Sequence, residues 1–223
     1  MLKIIHEDNH ILVVIKPQNV PSQEDSSKDK DMLTMVKEYI KETYNKPGNV
    51  YAGLVHRLDR PTGGVMVFAK TSKAAARLAE QIKSGDFQKT YLAVVNGAPK
   101  VNYEQVTNYL AKNETLNKVQ IVPQLVDGAK IAKMEYNLMQ KTDKLSLLKI
   151  HLFTGRSHQI RVQLKGIGLP IYGDAKYGNG ERCNLALWAY ELKFLHPTTR
   201  VPMTFQVYPP IEEKPWNQFN FTK

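Results

Sequence analysis

Apolar and polar residues follow two rhythms along this chain, and the switches between them outline its elements. Residues 11–15 form an unbroken apolar run stopped by Lys16-Pro17, which predicts a buried strand. Residues 18–31 are polar and predict a surface loop. Asp31 then caps a helix over 32–44, with Leu33, Val36 and Ile40 as its apolar residues, and Lys46-Pro47-Gly48-Asn49 breaks it. A second apolar strand covers 65–69. Thr71 or Ser72 caps a second helix that carries Ala75, Leu78, Ala79 and Ile82 on one face and ends at Gly85. Lys89 to Val95 predicts another strand, with Asn96-Gly97 as its turn. Residues 98–130 are polar and predict only short strands and loops. Residues 132–139 and 145–152 predict a strand pair around Thr142-Asp143-Lys144. Thr154-Gly155-Arg156 turns into Ser157, the expected N-cap of a helix over 158–165 in which Ile160 stacks on Leu164. Strands are expected at 185–194 and 201–207. In the latter, Val201, Met203, Phe205 and Val207 alternate and predict one buried face. No repeat, low-complexity stretch or linker interrupts the pattern. The expectation is one α+β domain over 1–223, a mixed and mostly antiparallel sheet flanked by helices.

Charge adds a partner to this picture. The 223 residues hold 31 Lys+Arg against 21 Asp+Glu, a net charge of +10. The excess is spread along the chain, so it suggests a folded basic surface for a polyanion, with a merely solvated Lys-rich surface as the alternative. Cys183 is the single cysteine, which excludes an internal disulfide and a zinc cage and points to a reducing compartment. The first residues lack the pattern of a signal peptide, and no apolar run is long enough to span a membrane. A cytoplasmic monomer is expected.

The densest candidate chemistry lies in His56-Arg57-Leu58-Asp59-Arg60-Pro61-Thr62-Gly63-Gly64-Val65. An acid between two arginines, followed by a glycine turn, stays ionised at neutral pH. It can be a nucleophile, a metal ligand or a structural ion-pair partner. The metal reading is the weakest, because only His56 lies close by and no second carboxylate joins it. The other two readings stay open on local residues alone. A second group, Gly155-Arg156-Ser157-His158-Gln159-Ile160-Arg161, gathers cations at a predicted helix start and suits an anion, against the plainer reading of a solvated basic face. Tyr91 sits in a predicted strand, where core packing is the ordinary role of a tyrosine. The loop from Gly168 to Gly178 matches neither a phosphate loop nor a dinucleotide fingerprint, so no nucleotide cofactor is expected. There is no Gly-x-Ser-x-Gly elbow, and Cys183 has no local signature of a nucleophile.

Taken in order, these pieces resemble the RluA-type RNA pseudouridine synthases. The match runs from the opening strand with Lys16-Pro17, through His56-Arg57-Leu58-Asp59 with Thr62 and Gly64, to Lys89-Thr90-Tyr91. It continues in Gly155-Arg156-Ser157-His158-Gln159-Ile160-Arg161 and Pro170-Ile171-Tyr172-Gly173-Asp174, and closes at Leu195-His196-Pro197. Gly63 stands where the family usually has serine, and Trp188 where a histidine is common. The resemblance implies a catalytic domain without the S4-type module of many relatives, acting without cofactor or metal on ribosomal or transfer RNA. It implies Asp59 as the catalytic residue, by attack on the ribose or by an elimination route. It further implies Tyr91 as the ring stacked under the uracil and Arg161 as the partner of the Asp59 carboxylate. Arg57, Arg60, Arg156, His158 and Gln159 are the expected RNA contacts, with Arg57 a candidate to fill the gap left by a flipped base. The rivals are a non-catalytic RNA-binding module with the same fold and, more distantly, a metal-dependent phosphoester hydrolase.

Overall fold

Two strands that are apolar but for a closing lysine organise the first of two compact units, Met1–Lys89 with Ala189–Val207. The computed structural model describes residues 2–113 and 118–221. Strand β2 (Ile11–Lys16) pairs antiparallel with β4 (Gly63–Ala69), in register from Ile11 opposite Ala69 to Lys16 opposite Gly64. Every residue of β4 is buried, and so is β2 apart from Ile15. Both sheet faces are therefore covered, which is why these strands read as continuous apolar runs and not as alternating ones. On one face Ile11, Val13, Val65 and Val67 pack with Ala74 and Leu78 of helix α2 (Ser72–Ser84) and with Phe87, Leu192 and Phe194. Strand β1 (Lys3–Glu7) pairs with β2, and the two-residue β3 (Gly53–Leu54) pairs with β4. Strand β10 (Leu187–Leu195) follows β4 in the order and pairs antiparallel with β11 (Pro202–Gln206). Gly64 lies against Ala189 of β10. Its φ of +126° and the collision a Cβ would make with the Ala189 backbone both demand glycine.

The two helices of this unit begin where the sequence placed them. Asp31 accepts the Thr34 N–H at 3.1 Å at the start of α1 (Met32–Thr43), and Thr71 accepts the Ala74 N–H at the start of α2. Gly85 closes α2 at φ +92°. Two details differ from expectation. Ala79 is exposed, and Gln81 is buried in its place, its amide donating to the Leu195 carbonyl and accepting the Leu195 N–H, both at 2.8 Å. Met203 and Phe205 of β11, and Val207 just past its end, pack on the core, but Val201 lies before the strand and is 58% exposed.

The second unit comprises Thr90–Trp188 and Tyr208–Lys223. Its strands are β5 (Gln88–Asn96, from Thr90 on), β6 (Tyr103–Asn113), β7 (Lys118–Val122), β8 (Lys130–Lys141) and β9 (Leu145–Leu152). They lie in the order β5-β9-β8-β6-β7, each pair antiparallel. The expected pair 132–139 and 145–152 is present as β8 and β9. The expectation of short pieces over 98–130 is corrected by the eleven-residue β6. Its buried apolar residues are only Val106 and Leu110, with the polar Asn108 between them on the same side. Gln163 donates to Asn108 Oδ1 at 2.9 Å, so a polar residue occupies an inward position and the alternation is lost from view.

Helix α3 (Gln159–Gly166) covers β6 and β7, with Val162 packed among Leu110, Val119, Ala132 and Tyr177. It begins one residue later than expected and is not capped by Ser157. His158 holds the cap position at φ +51° without a side-chain cap bond. Gln159 ties the turn before the helix, its Oε1 accepting the Arg156 N–H at 3.0 Å. The fold is thus α+β, a mostly antiparallel sheet with flanking helices.

Candidate active site

Asp59 lies outside regular secondary structure, between β3 and β4, and is partly exposed. The carbonyls of its turn are nevertheless all held. The Ser22 hydroxyl donates to the Leu58 carbonyl at 2.7 Å and accepts the Leu58 N–H at 3.1 Å. The Thr62 N–H returns to the Asp59 carbonyl at 2.9 Å and closes the turn. The Lys16 ammonium donates to the Arg60 carbonyl at 2.9 Å, and the Gln18 amide to the Pro61 carbonyl at 3.1 Å. Four successive carbonyls, from residue 58 to 61, therefore have donors.

Lys16 is wholly buried at the end of β2, and it also donates to the carbonyls of Pro17 at 2.9 Å and Val20 at 2.6 Å. Burial pushes its ammonium down to about 7; the Asp59 carboxylate opposes that push and Arg60 adds to it. Arg57 is exposed. Arg60 is engaged by the polar loop that precedes α1, pairing with Asp29 and Asp25 and donating to the Ser27 hydroxyl at 2.7 Å. It therefore meets carboxylates in the position where a phosphate contact was expected.

His56 joins this turn to β4. After Leu54 the chain of β3 peels away, and His56 Nε2 accepts the Val67 N–H at 3.1 Å that a further rung would have used. The ring also packs on Phe87, 5.5 Å between centroids. Burial, with Lys89 adding to it, pushes the imidazole down to about 3. The unfolded chain thus binds a proton near pH 6.5 that the folded chain refuses until about 3. Stability should fall as pH drops through that window, by about 3 kcal/mol between pH 6.5 and 4 at 1.4 kcal/mol per unit. Urea midpoints measured across this range check it. His56→Asn should be less stable at pH 7 but show a flatter acid limb, and an unchanged slope would refute the assignment.

The second unit holds the other expected residues. Tyr91 is 7% exposed on β5. It stands opposite Ile150 of β9, which in turn faces Tyr136 of β8, so the three share one sheet face. Arg161, in the first turn of α3, forms a two-pronged pair with Asp174: Nε to Oδ2 at 2.8 Å and Nη2 to Oδ1 at 2.7 Å. Both side chains are buried. Burial works against the Asp174 carboxylate. The Arg161 guanidinium and the N–H groups of Lys176 and Tyr177 outweigh it and hold the pKa below its ordinary value. The Arg161 guanidinium also lies over the Tyr177 ring, 5.1 Å from its centroid. Tyr177 accepts the Val119 N–H at 2.9 Å, and its hydroxyl lies 2.7 Å from His158 Nδ1. Gln159 is buried, accepting from the Thr154 hydroxyl and donating to the Lys133 carbonyl at 3.1 Å. Arg156 is exposed, its Nε anchored on the Ile131 carbonyl at 2.9 Å.

A family model described as RNA pseudouridylate synthase matches residues 10–165, well over half the chain, and spans Asp59, Tyr91 and Arg161. The chain belongs to this family. An uncharacterized RNA pseudouridine synthase of Aquifex aeolicus is 34% identical over 227 residues, covering 94% of this chain and 70% of its own. Ribosomal large subunit pseudouridine synthase C of Buchnera aphidicola is 31% identical over 206 residues, covering 87% of this chain and 63% of its own. The corresponding synthase D of Pseudomonas aeruginosa is 31% identical over 225 residues, covering 92% and 67%. The chain thus spans about two thirds of the length of these RNA pseudouridine synthases. Among solved structures, human RNA pseudouridylate synthase domain containing 4 superposes with a TM-score of 0.77 at 22% identity, covering 93% of this chain and 88% of its own. At that identity it supports the fold alone.

Against the pseudouridine synthase pattern, sequence reasoning located the motifs and missed three of their supports. The sequence marks Asp174 as part of a loop, and the structure makes it a partner of Arg161. The pattern reads Lys16 as the end of a strand and part of the first family motif, and Ser22 only as part of the polar loop 18–31. Lys16 carried a usable signal, since a lysine closing a wholly apolar strand needs buried acceptors. Ser22 carried none. Among the described residues no group of three or more His, Cys, Asp or Glu is placed to hold a metal, and no helix is long and apolar enough to cross a membrane.

Proposed function

We propose that this chain isomerises specific uridines to pseudouridine in structured RNA, without a cofactor. The observation that carries the proposal is the Asp59 turn, a partly exposed carboxylate on an irregular segment whose backbone is held from 58 to 61, inside the span matched by the family model. Preorganisation of that kind serves a reacting group better than a structural ion pair. In the reaction the N1–C1′ bond of uridine breaks and a C5–C1′ bond forms. The C5 proton leaves, and N1 gains one. Asp59 acts on the ribose, either by attack at C1′ or by assisting an elimination. Tyr91 serves as the ring against the uracil, and Arg161 as the cation that supports the acidic group.

Arg57 and Arg156, both exposed, are the proposed contacts to the RNA backbone or to the gap left by the extruded base. Arg60 can join them by exchanging its carboxylate partners for a phosphate. His158 and Gln159 act through the turn before α3. The net charge of +10 favours a polyanionic substrate. Ribosomal RNA is the first substrate to test, given the printed names of the Buchnera and Pseudomonas relatives, with transfer RNA second. The reading takes the chain to act as a cytoplasmic monomer and residues 1–223 as one catalytic domain.

Pseudouridine mapping of total RNA from a deletion strain against its parent tests the proposal. One or a few missing sites, restored by the wild-type gene, are expected. An unchanged map would favour a non-catalytic RNA-binding protein.

A further inference from the structure

Ser22 has no place in the chemistry above, yet it makes the tightest connection to the Asp59 turn. It lies 36 positions before Leu58 and is 6% exposed. One hydroxyl serves both backbone groups of a single residue, donating to the Leu58 carbonyl at 2.7 Å and accepting the Leu58 N–H at 3.1 Å. The Met66 sulfur of β4 lies 3.9 Å away, within reach of the same hydroxyl. Leu58 is itself buried, so neither of its backbone groups can turn to water if the hydroxyl is lost. The carbonyl that Ser22 holds belongs to the peptide joining Leu58 to Asp59. Rotation of that peptide swings the Asp59 Cα–Cβ bond and moves the carboxylate with it.

The other supports act further along. Lys16 and Gln18 hold the carbonyls of Arg60 and Pro61, and Thr62 holds that of Asp59 itself. The residue before Asp59 is held from the 16–22 segment by Ser22 through both its N–H and its C=O. We propose that Ser22 is a positioning residue for the Asp59 carboxylate, fixing the peptide from which the acid projects. The proposal rests on the reading of Asp59 as the catalytic group. It assigns Ser22 no contact with substrate, so it predicts a defect in turnover and not in RNA binding.

The test is tritium release from a large-subunit ribosomal RNA transcript labelled with 5-tritiated uridine, using the full chain as wild type, Ser22→Ala and Ser22→Thr. A displacement of an ångström or less at a reacting group lowers turnover by about 10- to 100-fold, and that loss in kcat is expected for Ser22→Ala with KM changed by less than about threefold. Ser22→Thr keeps the hydroxyl and should recover kcat to within about threefold of wild type. If Ser22→Ala does not fold, Ser22→Cys replaces it. Its weaker S–H donor should place kcat between wild type and the loss expected for alanine. Wild-type kcat in the alanine variant would overturn the proposal, as would a loss confined to KM or equal losses in the alanine and threonine variants. These outcomes leave the function itself standing, because the wild type still turns over. A wild type that releases no tritium from ribosomal or transfer RNA transcripts removes the catalytic reading and this proposal with it.

Discussion

Asp59→Asn is expected to abolish tritium release from 5-tritiated uridine RNA while leaving the protein folded. The substitution keeps the shape of the side chain and removes its charge and basicity. A group that acts directly in bond making or proton transfer is worth about 10²- to 10⁴-fold or more, so residual activity should fall to the assay floor. Folding should change little, because the four bonds that hold carbonyls 58 to 61 use backbone atoms of the turn and not the Asp59 carboxyl. One secondary effect is expected. The Asp59 carboxylate supports the charge on buried Lys16, so its removal should lower the Lys16 pKa further below about 7. Circular dichroism and the thermal midpoint check the fold. Full turnover by the variant would refute the catalytic assignment, and loss of activity together with the fold would show that the carboxylate is structural.

Arg161→Met is expected to cost both stability and activity. In a solvated cleft, loss of an arginine would chiefly affect catalysis. The burial of both partners changes that balance. Removing the cation leaves the Asp174 carboxylate, whose side chain is 0% exposed, on the N–H groups of Lys176 and Tyr177 without its arginine. Breaking one side of a buried pair costs about 3–5 kcal/mol. For a protein of this size that is about 10 °C in thermal midpoint. The double variant Arg161→Met/Asp174→Leu removes both charges and should regain much of that stability while staying inactive. The pH dependence has a definite sign. The Asp174 pKa is lowered in the folded chain, so its contribution is full above the ordinary carboxylate range and is lost as pH falls through the folded value. Wild type should therefore lose stability at acid pH more steeply than the double variant. A single variant as stable as wild type would show that the pair contributes nothing net.

The elements were most legible where their signals are local. Asp31, Thr71 and Gly85 end their helices as read, because a cap depends on residues within four positions. Strands β2 and β4 were visible because burial on both faces leaves no polar interruption. Strand β6 was not, because an inward Asn108 is satisfied by Gln163 from a helix 55 residues later. Ser157 fits the cap rule for α3, but His158 holds the cap position without a side-chain bond, and the preceding turn is tied by Gln159, whose amide serves Arg156, Thr154 and Lys133 together. A cap rule cannot anticipate a side chain whose partners lie in another strand.

For the candidate site the same division holds. Residue type and spacing fixed the motif order, the basic balance and Asp59 as a candidate, and the resemblance to the pseudouridine synthases added Tyr91 and Arg161 as residues to test. Tertiary structure alone decided which groups hold them. Asp174 faces Arg161, the polar loop before α1 occupies Arg60, and Lys16, Gln18 and Ser22 fasten the turn around Asp59. Those pairings span 13 to 44 positions. They exist because folding buries backbone and charged groups away from water, and each must then find whichever partner the packed chain brings within 3 Å or so.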